Sequence, residues 1–242
     1  MALSEEAKDS AAALFALGTL EGFEATRLDQ LGKSLGALKP ALRSNKSLRQ
    51  SYQLDSSLVD ATLGFSLYDY WTSRIFRPLH WTLLTRDKRP EAIGRIRIVS
   101  QQGVYARYLA GAYLAWILVE EEELELAAAV ADSHLMVLGD TRSFLEPCAK
   151  AYFLMGEWAT ARDRYERFLT SIRSAPRRNK VREIGALHRL AMIATAQEDW
   201  KSVISYSNEA FSLALDDYEK EKKKSDLNRL EQFRKLASER LK

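Results

Sequence analysis

Three histidines and one cysteine are the residues of this sequence with side chains suited to metal binding or nucleophilic catalysis. His80, His134 and His188 stand far apart, and none has a second histidine or a carboxylate at the spacing of a helical zinc site. Glycine-rich phosphate loops, GxSxG turns and Cys/His nucleophile patterns are absent. Because Cys148 is the single cysteine, an internal disulfide and a thiolate cluster are excluded, and we expect it to be a small buried apolar residue. These observations predict a non-enzymatic protein without a metal or a cofactor.

An acidic run, Glu120–Glu123 followed by Glu125, is the remaining group of potential cation ligands. Consecutive residues of a helix point about 100° apart, so these carboxylates cannot converge on one ion. The run therefore predicts a solvated helix terminus.

The composition predicts a folded, all-α protein. Of its 242 residues, 46% are hydrophobic and 29% charged, which suits a chain with a sizeable core. Only 11 glycines and 5 prolines are present, too few for the turns of an all-β fold, whereas good helix formers are abundant. The net charge of +3 makes nucleic acid an unfavoured partner.

The sequence predicts no membrane span and no secretory signal. Its longest uncharged apolar stretch, Tyr108–Val119, has about twelve residues, where a spanning helix needs about twenty. The first ten residues lack a basic start and an apolar run. We therefore expect a cytoplasmic location, or a periplasmic one if a leader has been removed.

The C-terminal half contains an internal repeat. Small residues such as Ala149 and Ala161 would let two helices approach closely, and Gly156 would provide the turn between them. The motif has large, small, aromatic and Gly-acidic-aromatic positions, and consists of Leu145, Cys148, Ala149, Tyr152, Gly156, Glu157, Trp158, Ala161, Tyr165 and Phe168. Ser143 and Glu146 have the spacing of a capping box, which predicts the start of the first helix.

The repeat recurs on both sides of this motif. Ala115 and Ala127 stand 34 residues before Ala149 and Ala161. A later copy is displaced by 42 residues, from Trp158 to Trp200, and the additional residues at 174–180 predict a surface loop.

These motifs resemble tetratricopeptide repeat (TPR) proteins, and in particular a bacterial group whose repeats follow an aromatic, irregular helical region. In this chain the preceding features are the aromatic helix at Asp60–Trp71 and the Gly103-Val104-Tyr105 helix start. The resemblance implies a right-handed α-solenoid of stacked antiparallel helix pairs. It implies a protein-binding role without indicating any particular activity.

The predicted organisation is one continuous domain with three regions. Residues 1–100 form an irregular helical region packed on the solenoid, and within it two glycine pairs, at 18 and 22 and at 32 and 36, predict close helix contacts. Residues 101–215 form the TPR-like repeats. Residues 216–242 form an amphipathic capping helix, with Leu227, Leu230, Phe233 and Leu236 on its apolar face.

The predicted function is a protein- or peptide-binding adaptor that uses the concave groove of the solenoid. In the repeat register, positions 2, 5, 9 and 12 of each first helix face this groove. Lys150 would pair with an acidic group of the partner, and Phe153 would provide an apolar anchor. The predicted partner-binding residues are Trp116, Glu146, Lys150, Phe153, His188 and Met192.

Two alternative functions remain open. A self-associating scaffold would use the aromatic helix at Phe65–Trp71, together with Trp81, as a homodimer surface. An RNA-binding repeat would use a set of basic residues, namely Arg177, Arg178, Lys180 and Arg182 with Arg95 and Arg97. We place the adaptor first, the scaffold second and nucleic-acid binding third.

Overall fold

The computed structural model describes residues 5–75 and 86–242, and every regular element in these ranges is an α-helix. This confirms the all-α prediction. The helices are α1 (Glu5–Gln30), α2 (Ser34–Leu54), α3 (Ala61–Ile75), α4 (Arg89–Gln102), α5 (Arg107–Glu120), α6 (Leu124–Leu138), α7 (Arg142–Met155), α8 (Trp158–Arg173), α9 (Lys180–Ala196), α10 (Trp200–Ser212) and α11 (Asp217–Arg240).

The chain divides into two compact units, Met1–Leu114 and Ala115–Lys242, and the division falls inside α5. The first unit contains α1 to α4 and the start of α5. The second contains the end of α5 and the helices from α6 to α11.

In the first unit, α1 and α2 form a closely packed hairpin. A Cβ at Gly18 would lie 2.7 Å from Cγ of Leu48, and one at Gly22 would lie 3.1 Å from Oγ of Ser44. Ser44 also donates a hydrogen bond to the Gly18 carbonyl at 2.7 Å. The first glycine pair thus makes the expected close contact. The second pair does not, because Gly32 occupies the turn with φ +73° and a Cβ at Gly36 would meet only Lys33 of its own turn.

Two aromatic residues of α3, Phe65 and Tyr70, lie in the core of the first unit. Phe65 is 4% exposed and packs with Leu48 and Ala61, and Tyr70 is fully buried. Trp71 is 43% exposed, while Trp81 lies outside the described residues. The dimer surface of the scaffold alternative therefore loses Phe65 and Tyr70 as contact residues, because neither is accessible to a second copy.

The start of α5 is held by a carboxylate that is distant in sequence. Asp60, 5% exposed, accepts hydrogen bonds from the backbone N–H groups of Val104, Tyr105 and Ala106 at 3.0, 3.1 and 2.7 Å. A Cβ at Gly103 would lie 2.6 Å from the Val99 carbonyl oxygen, so glycine is needed for this close approach. The carboxylate thus satisfies buried backbone donors of the short segment that leads into α5.

In the second unit, neighbouring helices pack as pairs, α7 with α8 and α9 with α10, and successive pairs pack on each other. The small residues of the repeat motif lie at these contacts, since Ala115, Ala127, Ala149 and Ala161 are fully buried. Gly156 ends α7 in the left-handed conformation with φ 78°. The predicted loop follows α8 and ends at Asn179, whose side chain caps α9.

The predicted capping box at Ser143 is wrong. Helix α7 begins at Arg142 after Thr141, which makes no side-chain capping bond, so Ser143 lies inside the first turn. Glu146 instead forms an ion pair with Arg182 of α9. The Glu146 side chain, which the sequence pattern assigned to the helix cap, thus forms a tertiary ion pair.

The helix contact at Ala161 allows a direct test of packing. We expect Ala161→Leu to lower the free energy of unfolding by about 1–3 kcal/mol, because a fully buried alanine leaves no room for three additional carbon atoms. Thermal and urea unfolding, followed by circular dichroism, measure the change. The matched control is Ala159→Leu at an exposed position of the same helix, which we expect to change stability little. Equal stability of both variants would contradict the packing at Ala161.

Helix α11 closes the last helix pair, as the capping-helix prediction requires. It begins with a capping box between Asp216 and Glu219 and packs on α9 and α10. Leu230 and Ala237 are fully buried, and Phe233 packs on the cluster around Ala194 and Val203. This helix covers apolar surface that the last repeat would otherwise expose.

Candidate binding surface

The predicted partner-binding residues lie on α5, α7 and α9, the first helices of the three repeats. On α5 and α7, Lys150 places its Nζ atom 5.3 Å from the ring centroid of Trp116 and 3.0 Å from Oε1 of Glu120. The structure therefore brings Trp116 and Lys150 together. The Lys150 charge, however, is already paired with Glu120, so a partner carboxylate would have to compete for it.

A second contact joins α7 to α9. The guanidinium carbon of Arg189 lies 5.1 Å from the ring centroid of Phe153, and its Nη1 atom lies 3.6 Å from Sδ of Met192. Phe153 also contacts Trp158, which meets it edge-on at 5.5 Å. Phe153 and Met192 are both half-buried, so each retains apolar surface that a partner can cover.

Arg189 is a residue of this surface that the sequence analysis missed. Lys150 and Arg182 are paired with Glu120 and Glu146, whereas Arg189 has no carboxylate within ion-pair distance in the described part of the chain. Its position three residues before Met192, on the same helix face, was the available signal. We call Trp116, Lys150, Phe153, Arg189 and Met192 the repeat strip.

His188 does not belong to the repeat strip. It is 3% exposed, because α11 covers it with Phe233 stacked at 6.1 Å and with Asp226, whose Oδ1 lies 3.4 Å from Nδ1. Burial lowers the pKa of the imidazole to about 4, although Asp226 opposes the shift. A neutral, covered histidine is not available to a partner.

Other candidate chemical residues have structural roles. Cys148 is fully buried, as predicted, and donates to Asp132 at 3.2 Å, while Tyr152 donates to the same carboxylate at 2.7 Å. Burial raises the pKa of the Cys148 thiol to about 12, so it stays protonated. His134 stacks on Phe144 at 4.4 Å. His80 lies outside the described residues, among which no cluster of three metal-ligating side chains occurs.

The acidic run lies at a helix terminus, and basic residues of the loop before α9 form ion pairs. Glu120 ends α5 and Glu121–Glu123 form the turn before α6, in agreement with the predicted helix terminus. Arg178 of the loop before α9 pairs with Glu183, and Lys180, the first residue of α9, pairs with Glu219. These pairs reduce the free positive charge that the RNA-binding alternative requires.

Comparison with known proteins bears on the fold. No family model matches the sequence, and no curated protein matches it. Among solved structures, PilW, described as a widely conserved type IV pilus biogenesis factor, matches with a TM-score of 0.52 and 12% identity over 79% of this chain and 91% of its own. A chain of the APC/C hetero-tetramer Cut9-Hcn1 matches with a TM-score of 0.51 and 13% identity, over 84% of this chain and 38% of that one.

The fold is that of a TPR protein. Both similar structures are helical repeat proteins of this type, and the helix pairs of the second unit have the repeat register that the sequence predicted. The TM-scores of 0.52 and 0.51 establish a shared architecture, and at identities of 12% and 13% they do not establish a shared activity. Among the described residues, no helix of this TPR fold is long and apolar enough to cross a membrane.

Proposed function

We propose that the protein is a non-enzymatic adaptor that binds a protein or peptide on the repeat strip. The observation that carries the proposal is the juxtaposition, across α5, α7 and α9, of half-buried apolar side chains with a cation that lacks a carboxylate partner. Stacked helix pairs present such first-helix surfaces to extended or helical segments of other proteins.

The chemistry of the strip indicates the character of the partner segment. Trp116, Phe153 and Met192 are aromatic or flexible side chains of the kinds that contribute most to protein interfaces. Arg189 can donate two parallel hydrogen bonds to a carboxylate while it stays stacked on Phe153. We therefore propose a segment with an apolar side chain close to an acidic one. One similar structure supports this proposal, since it is a chain of the APC/C hetero-tetramer Cut9-Hcn1 and is therefore seen bound to another protein.

Truncation of Phe153 tests the proposal. A partner is first identified by pull-down and mass spectrometry, and its affinity is then measured by isothermal titration calorimetry. We expect Phe153→Ala to weaken binding by about 1–3 kcal/mol with little salt dependence, because an apolar anchor acts through buried area. We expect Arg189→Gln to weaken it more at low than at high ionic strength.

Met136→Ala is the matched control, because Met136 is 83% exposed on α6, the second helix of its pair. All variants must keep the helicity of the wild-type protein. Unchanged affinity of both Phe153→Ala and Arg189→Gln for a verified partner would reject the repeat strip as the binding surface.

A further inference from the structure

A second group of charged residues lies in the first unit and is not part of the repeat strip. Three cations from different parts of that unit surround one carboxylate. Arg49 of α2 approaches Asp69 of α3 at 2.7 Å, Arg95 of α4 approaches it at 2.8 Å, and Nζ of Lys88 lies 3.8 Å away. The Asp69 side chain is 5% exposed. We call Arg49, Lys88, Arg95 and Asp69 the cation cluster.

The cation cluster carries a net charge of +2, because three cationic side chains share one carboxylate. Within ion-pair distance, no carboxylate of the described residues other than Asp69 reaches Arg49, Lys88 or Arg95. The three cationic side chains are 38%, 51% and 29% exposed, so solvent and solutes reach them. Like charges held around one point repel each other, and an anion placed among them would relieve that repulsion.

Unused hydrogen-bond donors of the two arginines remain at this position. Arg49 uses Nε for Asn45 at 3.0 Å and Nη2 for Asp69. Arg95 uses Nε for Ser66 at 2.9 Å and Nη2 for Asp69. The Nη1 atoms of both arginines make no hydrogen bond within residues 5–75 and 86–242, and neither does Nζ of Lys88.

The two guanidinium groups and the backbone of Lys88 are held in place before any ligand arrives. The guanidinium carbons of Arg49 and Arg95 lie 4.6 and 5.4 Å from the ring centroid of Phe65, a buried residue of α3. The backbone N–H of Lys88 donates to Oγ of Ser73 at 3.1 Å, which fixes the start of α4. Groups that are ordered in advance lose less conformational entropy when they bind.

We propose that the cation cluster binds a phosphate-type dianion, either free phosphate or a phosphomonoester. Two negative charges match the excess of two positive charges, and a tetrahedral phosphoryl group offers three acceptor oxygens to Nη1 of Arg49, Nη1 of Arg95 and Nζ of Lys88. A carboxylate would neutralise only half of the excess. This site is independent of the repeat strip and of the proposed adaptor function.

Isothermal titration of the full chain with inorganic phosphate at about pH 7.5, where the dianion predominates, tests the proposal. We expect one site per chain, and we expect Lys88→Gln to weaken binding about tenfold or more, the usual value of a hydrogen bond to a charged group. Arg97→Gln is the matched control, because Arg97 is exposed on the same helix α4 outside the cluster. Its affinity should equal that of the wild-type protein.

Two further titrations test the chemistry. Phosphoserine distinguishes a phosphomonoester from free phosphate, and binding of either one at the cluster supports the proposal. Diethyl phosphate, a monoanion, should bind more weakly than both. The proposal is overturned if phosphate does not bind the wild-type chain, if Lys88→Gln and Arg97→Gln lose affinity equally, or if the monoanion binds as tightly as the dianion.

Discussion

Replacement of Asp60 by alanine is expected to lower the free energy of unfolding by about 2–4 kcal/mol. The Asp60 carboxylate accepts hydrogen bonds from three backbone N–H groups directly before α5, and its side chain is nearly inaccessible to solvent. Alanine leaves these donors without their acceptor, and desolvation of an unpaired donor is costly. Urea unfolding followed by circular dichroism measures the loss.

Two controls separate this effect from general damage. Asp60→Asn retains one side-chain acceptor oxygen and should lose about half as much stability or less. Asp216→Ala removes an exposed cap of α11 and should cost about 1 kcal/mol, the usual value of a solvent-exposed cap. If Asp60→Ala is no more destabilising than Asp216→Ala, the buried cap of α5 is not a major source of stability.

Glu183→Gln is expected to lower the free energy of unfolding by about 2–4 kcal/mol. The Glu183 side chain is fully buried and accepts from Nε of Arg173 at 2.9 Å and from Arg178. This carboxylate joins α8, the following loop and α9, and an amide keeps its shape while removing its charge. The two arginines are 33% and 45% exposed and can regain water, which keeps the loss below that of a fully buried pair.

The effect of Glu183→Gln should depend on pH. Burial alone would raise the pKa of the Glu183 carboxyl, but the guanidinium groups of Arg178 and Arg173 outweigh it and lower the pKa. A lowered pKa stabilises the fold above the unfolded value of about 4.3, and this contribution is lost as the pH falls through the folded value. The stability difference between wild type and variant should therefore be full near neutral pH and shrink below about pH 4.

Glu209→Gln is the matched control for Glu183, since Glu209 also pairs with Arg173 but is 37% exposed. It should cost less than about 1 kcal/mol and show little pH dependence. Equal losses of stability in the two variants would show that the buried Glu183 stabilises the fold no more than the exposed Glu209 does.

Part of the candidate binding surface could be predicted from the sequence. Trp116, Lys150, Phe153 and Met192 follow from the repeat register, because positions one helix turn apart share a face. Arg189 was missed because the absence of a carboxylate partner is a property of the surrounding helices. His188 was included because its register position is correct, but α11 packs on α9 and covers it.

The sequence by itself determined the helical fold, the helix pairs α7–α8 and α9–α10 and the capping helix α11. Helix periodicity, small residues at fixed spacing and turn glycines such as Gly156 act over a few neighbouring residues, so they can be read directly from the chain. Only the tertiary structure decided the cap of α5 by Asp60, the ion pairs of Glu183 and the cation cluster around Asp69. The Asp60 cap spans more than forty residues, and Asp69 meets cations from two other helices. Such contacts depend on the packing of whole helices and leave no local pattern.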